Sequence, residues 1–321
     1  MEFIDDLVVT VLLNYNQNDY TIKCVESLLE SDYKNHKLLL IDNGSEAANV
    51  TLLEKMLPDD DRLKFVKLED NIGYAQGTNY GLEEGLKLKP TYFFILNNDT
   101  VVAKDAISEL VATSKKHKDK ARVTGKVFHY DEPKMIQFIA YKMVDKKFLT
   151  FERLGNDELD KGQFDSLEEL DMMDDIFVLQ PASLYETIGG YSKYLWVNGV
   201  NIDISLRAKQ NGYKLVFTPK AKIWHKGSVS FGGRTMNPKL AYWNIQSKLI
   251  LRYIHVDRIS FIQFYLKILF NDVLRTMSKA IFLKIIGKKD MLNYAKSKLM
   301  SLIHFHIWTI KKNENTGYNP F

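Results

Sequence analysis

The 321-residue sequence is poor in cysteine, in proline and in long apolar runs, and each shortage excludes a class of protein. Its one cysteine, Cys24, cannot form an internal disulfide, so the chain fits a reducing compartment and the thiol is predicted to be buried. Seven prolines and 17 glycines, without any repeat, exclude a long low-complexity region. The longest late run without charge, Leu299 to Ile310, is shorter than the roughly 18 apolar residues of a membrane-spanning helix, so no transmembrane segment is predicted.

Charge is distributed unevenly along the chain. The net charge is +4, but residues 252–312 hold 12 Lys/Arg and 3 Asp/Glu, a balance of +9, so the remainder carries 4 − 9 = −5. The first ten residues, MEFIDDLVVT, have neither a basic start nor a long apolar core and do not predict a signal peptide. We therefore expect a globular body that is near neutral or acidic, followed by a basic, apolar C-terminal region.

Short apolar runs alternate with amphipathic segments over the first 125 residues. Runs rich in Val, Leu, Ile and Phe predict strands that are buried on both faces. These runs are residues 7–13, 38–41, 63–68 and 92–96. Apolar positions on one helical face predict helices at residues 21–31, 77–88 and 105–116. The alternation indicates an α/β fold with a mostly parallel sheet flanked by helices.

Each predicted strand in this region is followed by a cluster of polar residues. The clusters are Asn14-Tyr15-Asn16, Asp42-Asn43, Asp70-Asn71 and Asn97-Asn98-Asp99. Any one cluster is explained by turn formation, since Asn and Asp are frequent in turns. Ligands of parallel sheets bind beyond the carboxyl ends of the strands, so four clusters at one edge favour a shared site.

Seven stretches, taken in order, resemble one enzyme family. They are VVTVLLNYN, LLLIDNGS, DNIGYAQGTNYGL, FFILNNDTVV, QPASLYETIGGY, NIDISLRAKQNGYKL and TPKAKIWHKG, between residues 8 and 227. Together they resemble the inverting nucleotide-sugar glycosyltransferases of family 2, and most of all their rhamnosyltransferase-like bacterial members. The resemblance implies the Rossmann-like GT-A fold. It also implies transfer of a rhamnose-like or other hexose from a UDP- or dTDP-sugar to a growing, lipid-linked cell-surface polysaccharide.

The resemblance also implies a domain organisation. Residues 1–237 would form the GT-A domain, with a nucleotide-sugar half at about 1–125 and an acceptor half at 126–237. Within the second half, Lys126 to Asp175 is charged, lacks clear periodicity and is predicted to be irregular. Residues 238–321 would form a helical, basic, amphipathic extension.

By the same resemblance, Asp99 and His225 would hold a divalent cation, Mn²⁺ or Mg²⁺. Such a cation stabilises the negative charge of a departing nucleoside diphosphate. One or two carboxylates suffice, because phosphates and water supply the other oxygen ligands. Asp99 ends Asn97-Asn98-Asp99, a degenerate form of the family's Asp-x-Asp motif, and His225 lies in IWHKG. A turn aspartate and a loop histidine remain the alternative interpretations.

The family's nucleotide-binding residues match seven positions of this sequence: Tyr15, Asp42, Asn71, Gly73, Asn79, Asn97 and Asn98. The Tyr15 ring would stack on a pyrimidine, and Asp42 would accept from the ring N3–H. Uracil and thymine both carry that N–H, so these residues do not choose between UDP and dTDP. Gly73 would let the backbone approach the ligand closely.

The sequence departs from the family where inversion needs a base to accept the acceptor hydroxyl proton. Aligned on Arg207, the usual base position is Asn201, whose amide cannot take that proton, and only Asp203 keeps a carboxylate. Asp203 is the candidate base. A carboxylate from the run Asp171–Asp175 is a second candidate, and a helix-surface pair of Asp203 with Arg207 is the structural alternative. A third interpretation is a donor-binding but catalytically weak scaffold subunit of a polysaccharide assembly complex.

The C-terminal region predicts an amphipathic helical surface between Ile259 and Ile286. Lysine and arginine interrupt its apolar face, which suits a surface lying on anionic lipid. Packing against the first domain or against a second copy of the chain, giving a homo-oligomer, is the alternative. Nucleic acid is not expected, because no nucleic-acid motif accompanies the charge. The protein is therefore predicted to be cytoplasmic and peripheral at the inner face of the plasma membrane.

Overall fold

The computed structural model describes residues 6–166, 168–227, 237–285 and 291–314. The strands are β1 (Val8–Asn14), β2 (His36–Asn43), β3 (Leu63–Leu68), β4 (Tyr92–Asn97), β5 (Thr100–Val102), β6 (Ala121–His129), β7 (Met135–Phe138), β8 (Ala140–Asp145), β9 (Thr150–Leu154), β10 (Glu158–Leu159), β11 (Phe177–Pro181) and β12 (Lys214–His225). The helices are α1 (Asn18–Leu29), α2 (Ala47–Met56), α3 (Gly73–Leu86), α4 (Ala106–Lys116), α5 (Ala182–Ile188), α6 (Val200–Gln210), α7 (Pro238–His255), α8 (Arg258–Lys267), α9 (Arg275–Ile285) and α10 (Met291–Lys311). A π-helical segment, Ile268–Leu274, joins α8 to α9.

Ten strands of the described residues form one mixed sheet, which confirms the predicted α/β class. Their order is β10-β7-β6-β11-β4-β1-β2-β3, with β12 beside β6 and β5 beside β12. Strands β1 to β4 are parallel, and β11 runs antiparallel between β4 and β6. Asn14 lies opposite Asp42, and Leu13 lies opposite Asn97, so the carboxyl ends of β1, β2 and β4 meet at one edge. That edge carries the polar clusters.

Helices cover both faces of the parallel strands. Cys24 and Val25 of α1 are fully buried in the core, as predicted for the thiol, and burial raises the pKa of Cys24 to about 12. Helix α3 approaches the sheet through glycines. A Cβ added at Gly81 would lie 2.4 Å from Cγ1 of Val11 in β1, so only glycine permits this distance. The close packing fixes the position of the first turn of α3 at the polar edge.

The prediction that Lys126 to Asp175 is irregular was wrong. Strand β6 continues to His129, and β7 to β10 follow within that range. Strand β6 was not predicted because two charged residues, Arg122 and Lys126, interrupt its apolar sequence. Arg122 is fully buried and forms an ion pair with Asp175 at 2.8 Å, while Lys126 pairs with Asp160 at 2.8 Å. A cation can be buried only when it is paired, and both partners are distant in sequence.

The chain divides into two compact units, each built from three segments. The first is Met1–Lys142, Glu152–Tyr191 and Asn201–Val229, and the second is Met143–Phe151, Ser192–Val200 and Ser230–Phe321. The first unit contains the sheet. In the described part of the second unit, α7 to α10 pack together, and Trp196 stacks on Trp243 with ring centroids 5.7 Å apart. No helix among the described residues is long and apolar enough to cross a membrane.

Candidate functional site

Asp42, at the carboxyl end of β2, is completely buried in a hydrogen-bond network. Its Oδ2 accepts from Asn14 Nδ2 at 2.7 Å and from Ser45 Oγ at 2.7 Å, and its Oδ1 accepts from the Ser45 N–H at 2.9 Å. Tyr15 follows β1 at the same edge and is 47% exposed. The network therefore fixes the carboxylate beside an exposed aromatic ring, as the predicted nucleobase site requires.

The loop before α3 is held against the end of β2. Asn71 Oδ1 accepts from the Gly73 N–H at 2.9 Å, and Asn43 Nδ2 donates to the Gly73 carbonyl oxygen at 3.2 Å. Gly73 has a φ of +83°, which favours glycine. Asn79 lies further along α3. Its Oδ1 accepts from the Tyr191 N–H at 2.8 Å, and its Nδ2 donates to the Tyr191 carbonyl oxygen at 2.9 Å. Asn71 and Gly73 are thus brought to the edge, whereas Asn79 joins α3 to the segment after α5.

Asp99 and His225 lie in direct contact. His225 Nε2 is 3.1 Å from Asp99 Oδ1, because β12 ends beside the turn that follows β4. The other ring nitrogen, Nδ1, is 2.6 Å from Gln137 Oε1, an acceptor that directs Nε2 towards the carboxylate. The Gly227 N–H donates to Asp99 Oδ2 at 3.2 Å. Although burial acts to raise the pKa of Asp99, the hydrogen bond and charge of His225 hold that pKa below its usual value.

The two asparagines before Asp99 have different environments. Asn98 Nδ2 donates to Thr21 Oγ1 of α1 at 2.8 Å, so its side chain ties the turn to that helix. The backbone N–H of Asn97 donates to the Ile176 carbonyl oxygen at 2.9 Å, and the side chain is half-buried. Asn97 therefore remains at the edge, beside the predicted metal pair.

The candidate base Asp203 is buried in an ion pair. Its Oδ2 lies 2.6 Å from Arg207 Nη2 and accepts from Nε at 2.8 Å. Arg207 also donates to the carbonyl oxygens of Ile188 and Gly190, at 2.9 and 2.7 Å. Asn201, at the start of α6, is half-buried, and its Oδ1 accepts from the Ile202 N–H at 3.0 Å. These contacts match the helix-pair alternative for Asp203.

Asp174, in the 171–175 run, lies close enough to His225 for the two charges to interact. It is two residues before Ile176, whose carbonyl oxygen accepts from the Asn97 N–H at 2.9 Å. Asp174 Oδ2 accepts from the Tyr141 hydroxyl at 3.0 Å, and the side chain is partly exposed. Desolvation, followed by the charge of Asp175, raises the pKa of Asp174. A carboxylate with a raised pKa is suited to proton transfer.

Sequence reasoning missed two residues that shape the site. Gly44, with a φ of +73°, lets the loop after β2 touch the loop before α3, since a Cβ there would lie 2.3 Å from the Asn71 nitrogen. Its place in Asp42-Asn43-Gly44-Ser45 was a visible turn signal. Gln137 orients His225 from β7, and nothing in the surrounding sequence MIQF indicates that role.

A glycosyl transferase family 2 model matches residues 10–165. Glycosyltransferase GlyG of Streptococcus pneumoniae is 29% identical over 129 residues, covering 40% of this chain and 42% of that protein. Poly-beta-1,6-N-acetyl-D-glucosamine synthase of Staphylococcus aureus is 22% identical over 235 residues, covering 72% of this chain and 53% of that protein. The matched part of this chain thus spans about half or less of the length of these relatives.

Among solved structures, GalNAc-T7 with UDP, GalNAc and Mn²⁺ is similar, with a TM-score of 0.60 and 14% identity. The match covers 95% of this chain and 57% of that chain, and at this identity it shows the fold alone. The polar edge of the sheet lies within or beside the matched segment, since Asp42 and Asp99 both fall between residues 10 and 165. Residues 10–165 therefore carry the sequence pattern of glycosyltransferase family 2, and the described residues have the GT-A fold.

Proposed function

We propose that the protein is a metal-dependent inverting glycosyltransferase. It moves a rhamnose-like or other hexose from a UDP- or dTDP-sugar to a growing, lipid-linked cell-surface polysaccharide. The observation that supports this best is the contact between Asp99 and His225 at the sheet edge that carries the polar clusters. The poly-N-acetylglucosamine synthase named above, whose product is a polysaccharide, supports the acceptor class.

The residues at Asp99 fit Mn²⁺ or Mg²⁺. They offer one carboxylate and one imidazole, and the described residues contain no group of three or more His, Cys, Asp and Glu able to hold a metal. A site with two protein ligands suits a cation whose other ligands are substrate phosphates and water. His225 donates its second ring N–H to Gln137, the usual support of a metal-binding histidine. The bound cation would neutralise the charge that develops on the leaving diphosphate.

The nucleotide would bind between the loops after β1, β2 and β3. The exposed Tyr15 ring offers a stacking surface, and Asp42 offers a fixed acceptor. Asn71, Gly73 and Asn97 would line the space between the nucleobase and Asp99. Asn79 and Asn98 support these loops from behind through protein hydrogen bonds. Of the seven predicted residues, five would contact the donor, and Asn79 and Asn98 would hold the surrounding loops in position.

In the transfer step, the acceptor oxygen bonds to the anomeric carbon as the bond to the diphosphate breaks, and the hydroxyl proton passes to a base. Asp203 remains a candidate, although it is paired with Arg207 and must be freed by a local shift. Asp174 needs no such shift. It is partly exposed, and its pKa is raised. The geometry favours Asp174 for the role that Asn201 cannot perform.

The alternative function is a scaffold subunit that binds donor and transfers weakly or not at all. Asn201 is the feature that favours it, because the amide replaces the family's usual base. A wild-type protein that binds donor but transfers to none of a broad panel of glycan acceptors would support the scaffold. Measurable transfer that depends on a single carboxylate would support the enzyme.

The first experiment is calorimetric binding of UDP and of dTDP, with Mn²⁺ and with a chelator. We expect Asp99→Asn to weaken metal-dependent binding by more than about a hundredfold, since even the partners of metal ligands are worth roughly 10–100-fold. Asp59→Asn removes an exposed carboxylate of the same unit and is the matched control. Equal binding with and without metal, or none by either nucleotide, would refute the proposed site.

A further inference from the structure

Helices α8 and α9 and the π-helical segment between them form one continuous rod from Arg258 to Ile285. One side of the rod carries a row of exposed apolar side chains. The row is Ile259, Ile262, Leu266, Phe270, Leu274, Ile281 and Ile285. Ile259 is 70%, Phe270 57% and Ile285 78% exposed. Single exposed apolar residues are ordinary, but a continuous row of this length marks an interaction surface.

Cations flank the apolar row on both sides. Arg258, Lys267, Arg275 and Lys279 are exposed and lie next to apolar row members or one turn from them. The one acidic residue between positions 258 and 285 is Asp272, which lies 3.6 Å from Lys298 of α10. The exposed side of the rod therefore presents apolar and positive groups together, without a compensating acid.

The π-helical segment keeps the apolar row straight. In an α-helix a step of four residues overshoots one turn by about 40°, so positions 262, 266 and 270 would gradually wind around the rod. A π-helix takes more residues per turn, so a step of four falls short of a full turn there. The overshoot in the α-helix and the shortfall in the π-helix have opposite directions, so Leu266, Phe270 and Leu274 stay on one side of the rod.

The opposite side of the rod is occupied. Lys298 of α10 also donates to Thr276 Oγ1 at 3.3 Å, and Phe261 packs against Phe305 with centroids 5.7 Å apart. Helix α10 adds its own exposed apolar row, which is Leu299, Ile303, Ile307 and Ile310 and ends at Lys311 and Lys312. Tyr265 and His306 hydrogen-bond at 2.8 Å between the two helices. The free surface of this unit thus combines two apolar rows with basic residues.

We propose that this outer side of the rod docks on a bilayer of anionic phospholipid. The apolar row would enter the boundary between headgroups and acyl chains, and the cations would pair with lipid phosphates. The rod would lie in the membrane plane, in keeping with the finding that no described helix can span a bilayer. A second copy of the chain fits less well, because it would bring the same cations to the interface and no acid to pair with them. The proposal goes beyond the transfer reaction and does not depend on it.

The charge part is tested by flotation of the full chain with phosphatidylcholine vesicles, with and without phosphatidylglycerol. We expect binding to require phosphatidylglycerol. Each cation near an anionic surface is worth roughly fivefold in affinity, so the triple variant K267E/R275E/K279E should lose at least about a hundredfold. The matched control is K55E/K116E/K142E, which changes the same charge on exposed positions of the first unit. Equal loss in both triples would overturn the proposal.

The apolar part is tested with Ile259→Ser and Phe270→Ser, which keep every charge. These variants should lose the binding that persists at high salt, while circular dichroism stays at the wild-type signal because both side chains are exposed. Sedimentation that shows a dimer lost in these variants, with no vesicle binding, would assign the surface to a second copy instead. The assay contains no nucleotide, so its outcome is separate from that of donor binding.

Discussion

At the scale of single residues, the contact between Asp99 and His225 depends on a third side chain, Gln137. Gln137 accepts from the Nδ1 side of His225, and its own Nε2 donates to the His225 carbonyl oxygen at 3.3 Å. This contact fixes which ring nitrogen faces Asp99. The proposed site is therefore sensitive to a residue of β7.

We expect Gln137→Ala to weaken Mn²⁺-dependent UDP or dTDP binding by about 10–100-fold. His225 would lose its orienting partner, while Asp99 would keep its contact with the Gly227 N–H. Calorimetry at several Mn²⁺ concentrations measures this, and Gln137→Glu, which retains an acceptor, should restore most of the affinity. Unchanged Mn²⁺ affinity in Gln137→Ala would contradict the orienting role.

The identity of the base can be decided by three substitutions. Asp174→Asn should lower kcat by roughly 10²–10⁴-fold, the usual contribution of a general base, with little effect on donor binding. Asn201→Asp restores the family's usual base and should raise the rate of Asp174→Asn. Asp203→Asn removes the partner of Arg207 and should lower thermal stability. A thiol acceptor, which ionises without a base, should rescue Asp174→Asn; failure of rescue with normal donor binding would count against Asp174.

His36 gives a pH dependence that is independent of the site. It is buried at the start of β2, with Nε2 2.6 Å from Thr10 Oγ1, and burial followed by the Arg62 charge lowers its pKa from 6.5 to about 4. Between pH 6.5 and about pH 4, the His36 imidazole is therefore protonated to a greater extent in the unfolded chain than in the folded chain. The contribution of neutral His36 to stability is complete above pH 6.5 and is lost as pH falls towards 4.

On acidification from pH 7 to pH 4, wild type should lose up to roughly 3 kcal/mol more unfolding free energy than His36→Gln. Urea unfolding at closely spaced pH values measures the difference. The two stability curves would run parallel if His36 titrated alike in the folded and unfolded chains, and that result would exclude the effect.

At the scale of elements, the sequence predicted the strands whose formation depends on residues that are close together along the chain. The run at 92–96 became β4 (Tyr92–Asn97), because strands buried on both faces have continuous apolar sequences. The run at 63–68 became β3 (Leu63–Leu68), but its predicted burial on both faces was wrong, since β3 lies at the edge of the sheet and exposes Lys64 and Lys67. Strand β6 was missed, since Arg122 and Lys126 are neutralised by acids that the sequence places 53 and 34 residues away. The same limit applies to the site. Asp99 and His225 were predicted from motifs, whereas their contact and its support by Gln137 depend on tertiary structure.

Helix α3 allows a graded test of packing at the element that carries Gly73. Gly81→Ala gains about 1 kcal/mol of helix propensity, but overpacking against stiff, β-branched Val11 costs about 1–3 kcal/mol. We therefore expect a net loss of stability and a lower Tm. At Gly77 the added Cβ would lie 3.2 Å from side-chain atoms of Leu13 and Asn43, which need to shift by only a few tenths of an ångström, so Gly77→Ala should cost less than Gly81→Ala. Equal effects at the two positions would show that α3 is not held by this contact.

At the scale of the whole molecule, the C-terminal helices are part of a unit that draws on earlier segments of the chain. Arg252 of α7 donates to the carbonyl oxygens of Phe148 and Leu149, at 2.8 and 3.0 Å. Asn198 Nδ2 donates to Asn244 Oδ1 at 2.7 Å. A Cβ at Gly199 would lie 2.4 Å from Leu251, so α7 packs directly on that segment. The predicted boundary at residue 237 separates regions by sequence, but these contacts cross it.

A chain ending at residue 237 should therefore be poorly soluble, because residues 143–151 and 192–200 would lose the partners that bury them. The point variant Trp243→Ala tests the same packing without truncation. Trp243 is 8% exposed and stacked on Trp196, so its removal should cost about 3–5 kcal/mol in urea unfolding. Tyr253→Ala, at a 42% exposed position of the same helix, should cost clearly less. A soluble 1–237 chain with the wild-type Tm would show instead that the first domain folds alone and that residues 238–321 are an appendage.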